Sequence, residues 1–294
     1  MDYVVRGIAG NGSIRVFSAR TTGLVSKAAE VHGLYPVAAA ALGRVLTAAG
    51  MMAVDMKNSD NVLSIIVKGS GPLGNIVSVA KVDGTIKGYV DNPQLDMPLN
   101  EKGKLDVGKA VGRDGKITVI KDLGLKEPYV GQTDLVSGEI GEDIANYFWV
   151  SEQQPSAVAL GVIVNPDLTI KAAGGYIIQP MPDADPDVIA SLERKLTELP
   201  PVSALINQDH TPEQIMDLLL GEFDLKLLDS TTLEFKCDCN RERLERVILG
   251  MGKEELSDII NNEGQAELVC HYCNTKYHFN KEELEALLRL AMQR

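Results

Sequence analysis

The stretches Lys236-Cys-Asp-Cys-Asn240 and Val269-Cys-His-Tyr-Cys-Asn274 contain all four cysteines of this 294-residue chain. The thirty residues between the two pairs allow the chain to leave, form a small helical unit and return, so that four sulfurs converge on one ion. Four thiolates in a tetrahedral arrangement suit zinc. The sequence therefore predicts a small C-terminal domain that folds around one zinc ion, with the ligands Cys237, Cys239, Cys270 and Cys273.

The spacing within the pairs leaves a structural and a regulatory role open. C-x-x-C is the usual arm of a zinc site, whereas C-x-C places two sulfurs on one side of an extended backbone, where vicinal thiolates are also set up to oxidise. Most four-cysteine zinc sites are purely structural. Here the site follows a long region without cysteine that has no obvious need of it for folding, so we consider regulation beside structure.

Histidines and basic residues near the cysteines have simple explanations. His271 and His278 could each replace a cysteine ligand, but four thiolates already complete a tetrahedron, so we expect both to be surface residues. Basic side chains near the first pair either offset the negative charge of a zinc-thiolate centre or form an ordinary solvated helix face. These basic residues are Lys236, Arg241, Arg243 and Arg246.

The charge and the N-terminus indicate the setting in which the protein works. The net charge of −12 disfavours a nucleic-acid partner, since it would repel the phosphate backbone. The first residues lack the basic and apolar regions of a signal peptide, which predicts a cytoplasmic protein. In that compartment, cysteines are metal ligands or redox sensors more often than permanent disulfides. The small apolar stretch 37–54 is interrupted by Arg44, which predicts a buried helix and no membrane partner.

Turn signals and the alternation of apolar with polar residues divide the chain into three parts and predict the α+β class. The first part, residues 1–182, is predicted to contain a mostly antiparallel sheet. The strands predicted there are 3–9, 13–20, 62–68, 76–82, 85–90, 116–121, 131–137, 157–164 and 169–179, and the helices are 22–32, 36–56 and 142–151. A helical linker, 183–230, contains amphipathic segments at 187–199 and 211–220. The zinc-binding domain, 231–294, contains helices at 241–250, 253–261 and 281–292 and a strand at 265–269.

No catalytic machinery follows from the motifs. The stretch Gly69-Ser-Gly-Pro-Leu-Gly74 matches G-x-G-x-x-G, but a strand follows it where a cofactor loop needs a helix, so we expect a turn. His32 and His210 are isolated. The C-x-x-C lacks the strand and helix setting of a thiol oxidoreductase. We therefore assign no catalytic residue and expect a protein that is not an enzyme.

Several longer motifs, together with the cysteine pattern, resemble one known family. They are Gly88-Tyr-Val-Asp-Asn-Pro93, Val119-Ile-Lys-Asp-Leu-Gly124, Gly131-Gln-Thr-Asp-Leu-Val-Ser-Gly-Glu-Ile-Gly-Glu-Asp143, Ser151-Glu-Gln-Gln-Pro-Ser156 and Ala173-Gly-Gly-Tyr-Ile-Ile-Gln-Pro-Met-Pro182. The chain is similar over essentially its whole length to the bacterial redox-regulated thirty-three-kilodalton heat-shock holdases.

The resemblance implies a cytosolic, ATP-independent chaperone that is inactive when reduced and zinc-bound and active when oxidised and partly unfolded. By the same resemblance, oxidation forms the disulfides Cys237–Cys239 and Cys270–Cys273, releases the zinc and destabilises the linker. The oxidised protein then dimerises and holds unfolding client proteins under heat and oxidative stress.

Three classes of function remain to be distinguished. The first is the redox-gated chaperone, the second is a protein-binding module with a constitutive zinc domain, and the third is an enzyme such as a thiol-disulfide oxidoreductase. Only a redox switch gains function when it loses zinc, and only the oxidoreductase catalyses the reduction of insulin.

Overall fold

The computed structural model describes residues 1–182 and 184–292, and its contacts separate a first unit that ends at Phe235 from a second unit that begins at Lys236. The strands of the first unit are β1 (Tyr3–Ala9), β2 (Ile14–Arg20), β3 (Val62–Lys68), β4 (Asn75–Lys81), β5 (Thr85–Val90), β6 (Lys116–Asp122), β7 (Tyr129–Asp134), β8 (Ala157–Val164), β9 (Ile170–Pro180), β10 (Lys226–Thr232) and β11 (Glu234–Phe235). Its helices are α1 (Thr22–His32), α2 (Pro36–Ala53), α3 (Val107–Val111), α4 (Gly141–Ser151), α5 (Pro186–Glu198), α6 (Val202–Asn207) and α7 (Pro212–Leu220).

The strands of the first unit form two sheets. One has the strand order β10-β1-β2-β9-β8 and is antiparallel throughout. The other has the order β11-β5-β4-β3-β6-β7, in which only the short β11–β5 pair is parallel. The predicted α+β class with a mostly antiparallel sheet is confirmed.

Helix α2 packs against both sheets and forms the centre of the main core. Nearly every residue from Val37 to Ala53 is buried, and alanine and glycine dominate this stretch. Arg44 interrupts it, and its guanidinium donates to the Glu139 carboxylate at 2.6 Å and the Glu139 carbonyl oxygen at 3.0 Å. By length and composition α2 could cross a membrane, but 89% of its apolar window is buried within the protein. The predicted buried helix is confirmed.

The G-x-G-x-x-G stretch is a turn that leads into strand β4, as expected. A Cβ atom on Gly69 would lie 2.0 Å from the Val111 carbonyl oxygen, and one on Gly71 would lie 2.3 Å from the Ala110 carbonyl oxygen. These glycines therefore permit a close approach of two backbone segments at the end of α3.

Helices α5, α6 and α7 cover the outer face of the five-stranded sheet. Their apolar side chains share one buried cluster with residues of β1, β2 and β9, such as Val5, Val16 and Ile178. The helical residues buried in this cluster are Leu192, Val202, Leu205, Ile206, Ile215, Met216, Leu219 and Leu220. The hydroxyl of Tyr3 in β1 also donates to the Glu213 carboxylate of α7 at 2.9 Å. The segment expected as a linker is therefore docked on the sheet in this state.

The second unit is a small assembly of helices and one hairpin. It contains α8 (Arg241–Met251), α9 (Lys253–Asn262), β12 (Gln265–Val269), β13 (Lys276–Asn280) and α10 (Lys281–Met292), and β12 and β13 pair in antiparallel fashion. Its buried apolar cluster comprises Ile248, Leu256, Ile260, Phe279, Leu284 and Leu287. Six buried side chains form a core that is too small for a domain of this size to be stable without a further constraint.

The first unit is expected to fold without metal, because its core contains no cysteine and is extensive. A fragment of residues 1–235 should show one cooperative thermal transition by circular dichroism, with the same midpoint in zinc and in a chelator. Residues 1–182 alone should also fold, although the sheet face under α5–α7 would then be exposed. A transition midpoint that falls when the chelator is added would contradict this prediction.

Candidate metal centre

The first cysteine pair lies on an extended segment that leads into helix α8. Residues 236–240 form neither helix nor strand. Asn240 ends the segment as the N-cap of α8, where its side chain accepts a hydrogen bond from the Arg243 amide at 2.9 Å. The Arg243 guanidinium also lies 3.7 Å from the Asp238 carboxylate between the two cysteines. The helix start therefore fixes one end of the C-x-C segment.

The second pair lies in the turn of the β12–β13 hairpin. The Cys270 amide donates to the Thr275 carbonyl oxygen at 3.0 Å, and the Asn274 amide donates to the Cys270 carbonyl oxygen at 2.8 Å. Asn274 adopts φ 55°, in the left-handed region that asparagine tolerates. These backbone bonds close the turn tightly. They fix the positions of Cys270 and Cys273 independently of any metal.

The four sulfurs converge. All four Sγ atoms lie within 4.8 Å of one another. Between the two segments, Cys237 Sγ lies 3.7 Å from Cys270 Sγ, and Cys239 Sγ lies 3.3 Å from Cys273 Sγ. A tetrahedron with metal–sulfur bonds of about 2.3 Å has edges of about 3.8 Å. The four cysteines could therefore hold one metal ion, and the donor set fits zinc.

The environment of the sulfurs favours a bound cation. Burial raises the pKa values of the Cys237 and Cys270 thiols. Burial also acts on Cys273, but hydrogen bonds from Thr275 and the neighbouring thiols outweigh it and lower its pKa to about 7. Four thiolates this close do not ionise together unaided, because like charges in a partly buried site repel. A divalent cation supplies the compensating charge.

Two hydroxyl groups contact the sulfurs, and neither contact was predicted from the sequence. The Tyr277 hydroxyl lies 3.2 Å from Cys239 Sγ, and the Thr275 hydroxyl lies 3.2 Å from Cys273 Sγ. The hydrogen bond with Cys239 raises the pKa of Tyr277 to about 12, so the phenol keeps its proton at neutral pH. The alternation of Tyr277 with Phe279 in Lys276-Tyr-His-Phe-Asn280 was a signal that Tyr277 faces the core.

The histidines and Arg241 lie outside the sulfur cluster. His278 is exposed on β13, with Nε2 3.3 Å from the Glu267 carboxylate on the facing strand. His271 is also exposed, and neither imidazole belongs to the group of metal-ligand side chains. The Arg241 guanidinium lies 4.3 Å from the centre of the Phe279 ring and donates to Glu283 at 2.7 Å. Arg241 therefore ties α8 to the hairpin and to α10.

The two remaining histidines have structural partners in the first unit. His32 is buried, with Nε2 3.0 Å from the Gly88 carbonyl oxygen. His210 Nδ1 lies 3.1 Å from the Leu205 carbonyl oxygen. Neither lies in a cluster of metal-ligand residues among those that the structure describes.

Comparison with known proteins places the whole chain in one family. The family model described as Hsp33 protein matches residues 2–280. A protein named 33 kDa chaperonin from Alkaliphilus oremlandii is 51% identical over 97% of this chain and 96% of its own length. The protein of the same name from Bacillus subtilis is 48% identical over 98% of both chains.

A solved structure agrees with the sequence comparisons. The crystal structure of a 33 kDa chaperonin, described as a heat shock protein 33 homolog, from Thermotoga maritima superposes with a TM-score of 0.93. It covers 100% of this chain and 99% of its own, at 37% identity. Chaperonins are not a class of enzyme, which supports the expectation drawn from the motifs. The chain, with its four converging cysteines and its two-sheet first unit, belongs to the Hsp33 family of 33 kDa chaperonins.

Proposed function

We propose that this protein is a redox-regulated, ATP-independent holdase of the cytoplasm. In the reduced state it binds one zinc ion through Cys237, Cys239, Cys270 and Cys273 and is inactive. In the oxidised state it contains the disulfides Cys237–Cys239 and Cys270–Cys273, has released its zinc, forms a homodimer and binds unfolding client proteins. The observation that carries the proposal is the convergence of four thiols within 4.8 Å in a unit with a very small apolar core.

The coupling of metal to folding explains how oxidation acts. A sulfur in a disulfide cannot bind zinc as a thiolate, and a structural zinc site contributes roughly 10–16 kcal/mol to the folding of a small domain. The six-residue core of the second unit cannot replace that contribution. Oxidation should therefore unfold the second unit, while the first unit keeps its main core around α2, which contains no cysteine.

A candidate client surface lies under the helices of the linker. Helices α5–α7 are short and amphipathic, and helices of this length are not stable on their own in water. They cover an apolar face of the five-stranded sheet. Beyond α7 the chain runs through β10 and β11, which end two residues before Cys237. We propose that unfolding of the second unit spreads along this segment and exposes both the helices and the sheet face to clients.

The proposed partners are unfolding proteins, and neither nucleic acid nor membrane is expected. The net charge of −12 disfavours both phosphate backbones and anionic lipid surfaces. An apolar protein face binds exposed apolar segments of clients without regard to their sequence. The test is suppression of the aggregation of a chemically denatured client, without ATP, before and after peroxide. Activity that is equal in both states would favour a constitutive zinc module instead.

Substitution of one ligand should weaken zinc binding and partly activate the reduced protein. Cys270→Ser is expected to raise the zinc dissociation constant by more than the roughly 10- to 100-fold that follows from losing a ligand's hydrogen-bond partner, because a ligand itself is lost. Since zinc loss and unfolding are coupled, some holdase activity should appear without peroxide.

His278→Ala is the matched control for this variant, because His278 lies on the same hairpin but outside the sulfur cluster. It should bind one zinc per chain and stay inactive when reduced. Chelator competition and client aggregation measure both variants. A His278→Ala protein that loses zinc as readily as Cys270→Ser would show that the ligand set is wrong.

A further inference from the structure

The segment that presents Cys239 has no regular structure of its own. Residues 236–240 form neither helix nor strand, whereas Cys270 and Cys273 are fixed by the backbone bonds of the hairpin turn. The Asn240 cap and the 3.7 Å contact of Arg243 with Asp238 hold the end nearest to α8. Neither contact reaches the sulfur of Cys239. A further contact is needed to hold that sulfur beside the hairpin.

Tyr277 makes this contact from the opposite segment. Its hydroxyl lies 3.2 Å from Cys239 Sγ and donates to the Cys239 carbonyl oxygen at 3.3 Å. Tyr277 stands in β13 opposite Leu268, and its ring packs against the apolar cluster of the second unit. The ring is thus anchored in the core while its hydroxyl contacts the other cysteine-bearing segment. The two partners stand 38 positions apart in the sequence.

The geometry points to Tyr277 as the positioning residue that holds Cys239 in place for the metal. A metal-bound thiolate has no proton to donate, so its sulfur can only accept. The single phenol proton is then shared between the Cys239 sulfur at 3.2 Å and the Cys239 carbonyl oxygen at 3.3 Å. Hydrogen bonds to charged acceptors are stronger than those between neutral groups. Partners of metal ligands typically change metal affinity by about 10- to 100-fold when removed. This inference rests on the proposed role of the four cysteines as metal ligands.

Thr275 provides a matched comparison on the same hairpin. Its hydroxyl lies 3.2 Å from Cys273 Sγ, the same distance as that between the Tyr277 hydroxyl and Cys239 Sγ. Thr275 and Cys273, however, are only two positions apart in the sequence. Cys273 already occupies its position through the bond of its amide to the Cys270 carbonyl oxygen at 3.3 Å. Loss of the Thr275 hydroxyl therefore changes the electronic environment of one sulfur without releasing a segment. Loss of the Tyr277 hydroxyl changes the environment of a sulfur and also frees the C-x-C segment.

The experiment compares zinc affinity in full-length reduced protein, measured by chelator competition. Tyr277→Phe, which keeps the ring in the core, is expected to raise the zinc dissociation constant about tenfold. Thr275→Val is expected to raise it by a smaller factor. Tyr129→Phe, which removes a hydroxyl in the first unit that contacts Ser151, should leave it unchanged.

A spectroscopic measurement separates the hydrogen bond from a merely structural effect. With Co²⁺ in place of zinc, both Tyr277→Phe and Thr275→Val should move the sulfur-to-cobalt charge-transfer band to lower energy, because a sulfur that loses a hydrogen bond donates more readily. The intensity of the ligand-field bands should stay that of a tetrahedral site. Tyr129→Phe should not move the charge-transfer band.

Several results would overturn the inference. One is a Tyr277→Phe protein with the zinc affinity of the wild type and an unshifted charge-transfer band. Another is an equal loss of zinc affinity in Tyr277→Phe and Thr275→Val. Saturating zinc should restore the wild-type circular dichroism of Tyr277→Phe, and failure to restore it would assign Tyr277 to folding alone. A wild-type protein that binds no zinc would instead overturn the proposed function, and this inference with it.

Discussion

Peroxide at heat-shock temperature is expected to convert the inactive, zinc-bound protein into a zinc-free holdase with two disulfides. Each disulfide consumes one peroxide and two thiols and yields two water molecules. The second unit should then unfold, because it loses roughly 10–16 kcal/mol of metal-linked folding energy. Heat and peroxide should act together, since partial unfolding frees the C-x-C segment and a completed disulfide prevents zinc from binding again.

Three measurements on one sample follow this conversion. A colorimetric chelator should report one zinc released per chain, and aggregation of a denatured client should be suppressed without ATP. Thermal circular dichroism should show loss of the second unit and of the linker helices, while the main core of the first unit keeps its transition. An insulin-reduction assay should show no catalysed turnover. Oxidised, zinc-free protein that keeps its linker helices and protects no client would contradict the holdase proposal.

Tryptic mapping tests the disulfide pairing directly. Cleavage after Lys236 and Arg241 places Cys237 and Cys239 together on one short peptide, and cleavage after Lys253 and Lys276 places Cys270 and Cys273 on another. The proposed disulfides leave these peptides separate, each two mass units lighter than its reduced form. Sulfurs of different segments also lie close together, at 3.7 Å for Cys237 and Cys270 and 3.3 Å for Cys239 and Cys273. Cross-linked peptides would therefore reveal pairing between the segments and contradict the proposed disulfides.

Weakening helix α7 is expected to activate the protein without oxidation. Leu219 is fully buried in the cluster that joins α5–α7 to the five-stranded sheet. Leu219→Ala should destabilise this packing by about 2–5 kcal/mol, as for other large-to-small core substitutions. The short helix has little stability of its own to offset the loss. The reduced, zinc-bound variant should therefore protect a client from aggregation and bind a hydrophobic dye without peroxide.

The neighbouring residue offers a control for this prediction. Leu218 lies on the same helix but is 38% exposed, so Leu218→Ala removes the same atoms with little loss of packing. It should behave as the wild type in dye binding and client aggregation, and both variants should retain one zinc per chain. Activation of both variants to the same extent, or of neither, would show that release of α7 from the sheet does not expose the client surface.

Much of the fold follows from local patterns in the sequence. The helix Thr22–His32 and the strands Tyr3–Ala9, Val62–Lys68 and Ala157–Val164 have the predicted bounds. In the strand Val62–Lys68 and in the helix the buried residues recur with the period of the element, because one face is buried. The strand Ala157–Val164 is instead apolar throughout and rich in β-branched residues. The convergence of the cysteines was also predicted, since two close pairs around a short spacer leave few other arrangements.

Other elements were missed because their local sequence does not distinguish them. Strand β10 (Lys226–Thr232) lies at a sheet edge with nearly all of its side chains exposed, so it lacks the alternation of a half-buried strand. Its pairing with β1 defines it, and those partners stand more than two hundred residues apart in sequence. The short helices α3 and α6 and strand β13 were not predicted either, since segments of five or six residues give little periodic signal.

The sequence alone determined the main core and the set of metal-ligand candidates, because apolar periodicity and cysteine spacing are local properties of the chain. Only the tertiary structure decided that α5–α7 cover a sheet face and that Tyr277 contacts Cys239. Both depend on contacts between residues distant in sequence, and an amphipathic helix or a hairpin tyrosine has many acceptable partners. The partner of each element is determined when the chain packs, because burial and hydrogen bonding stabilise the whole arrangement together.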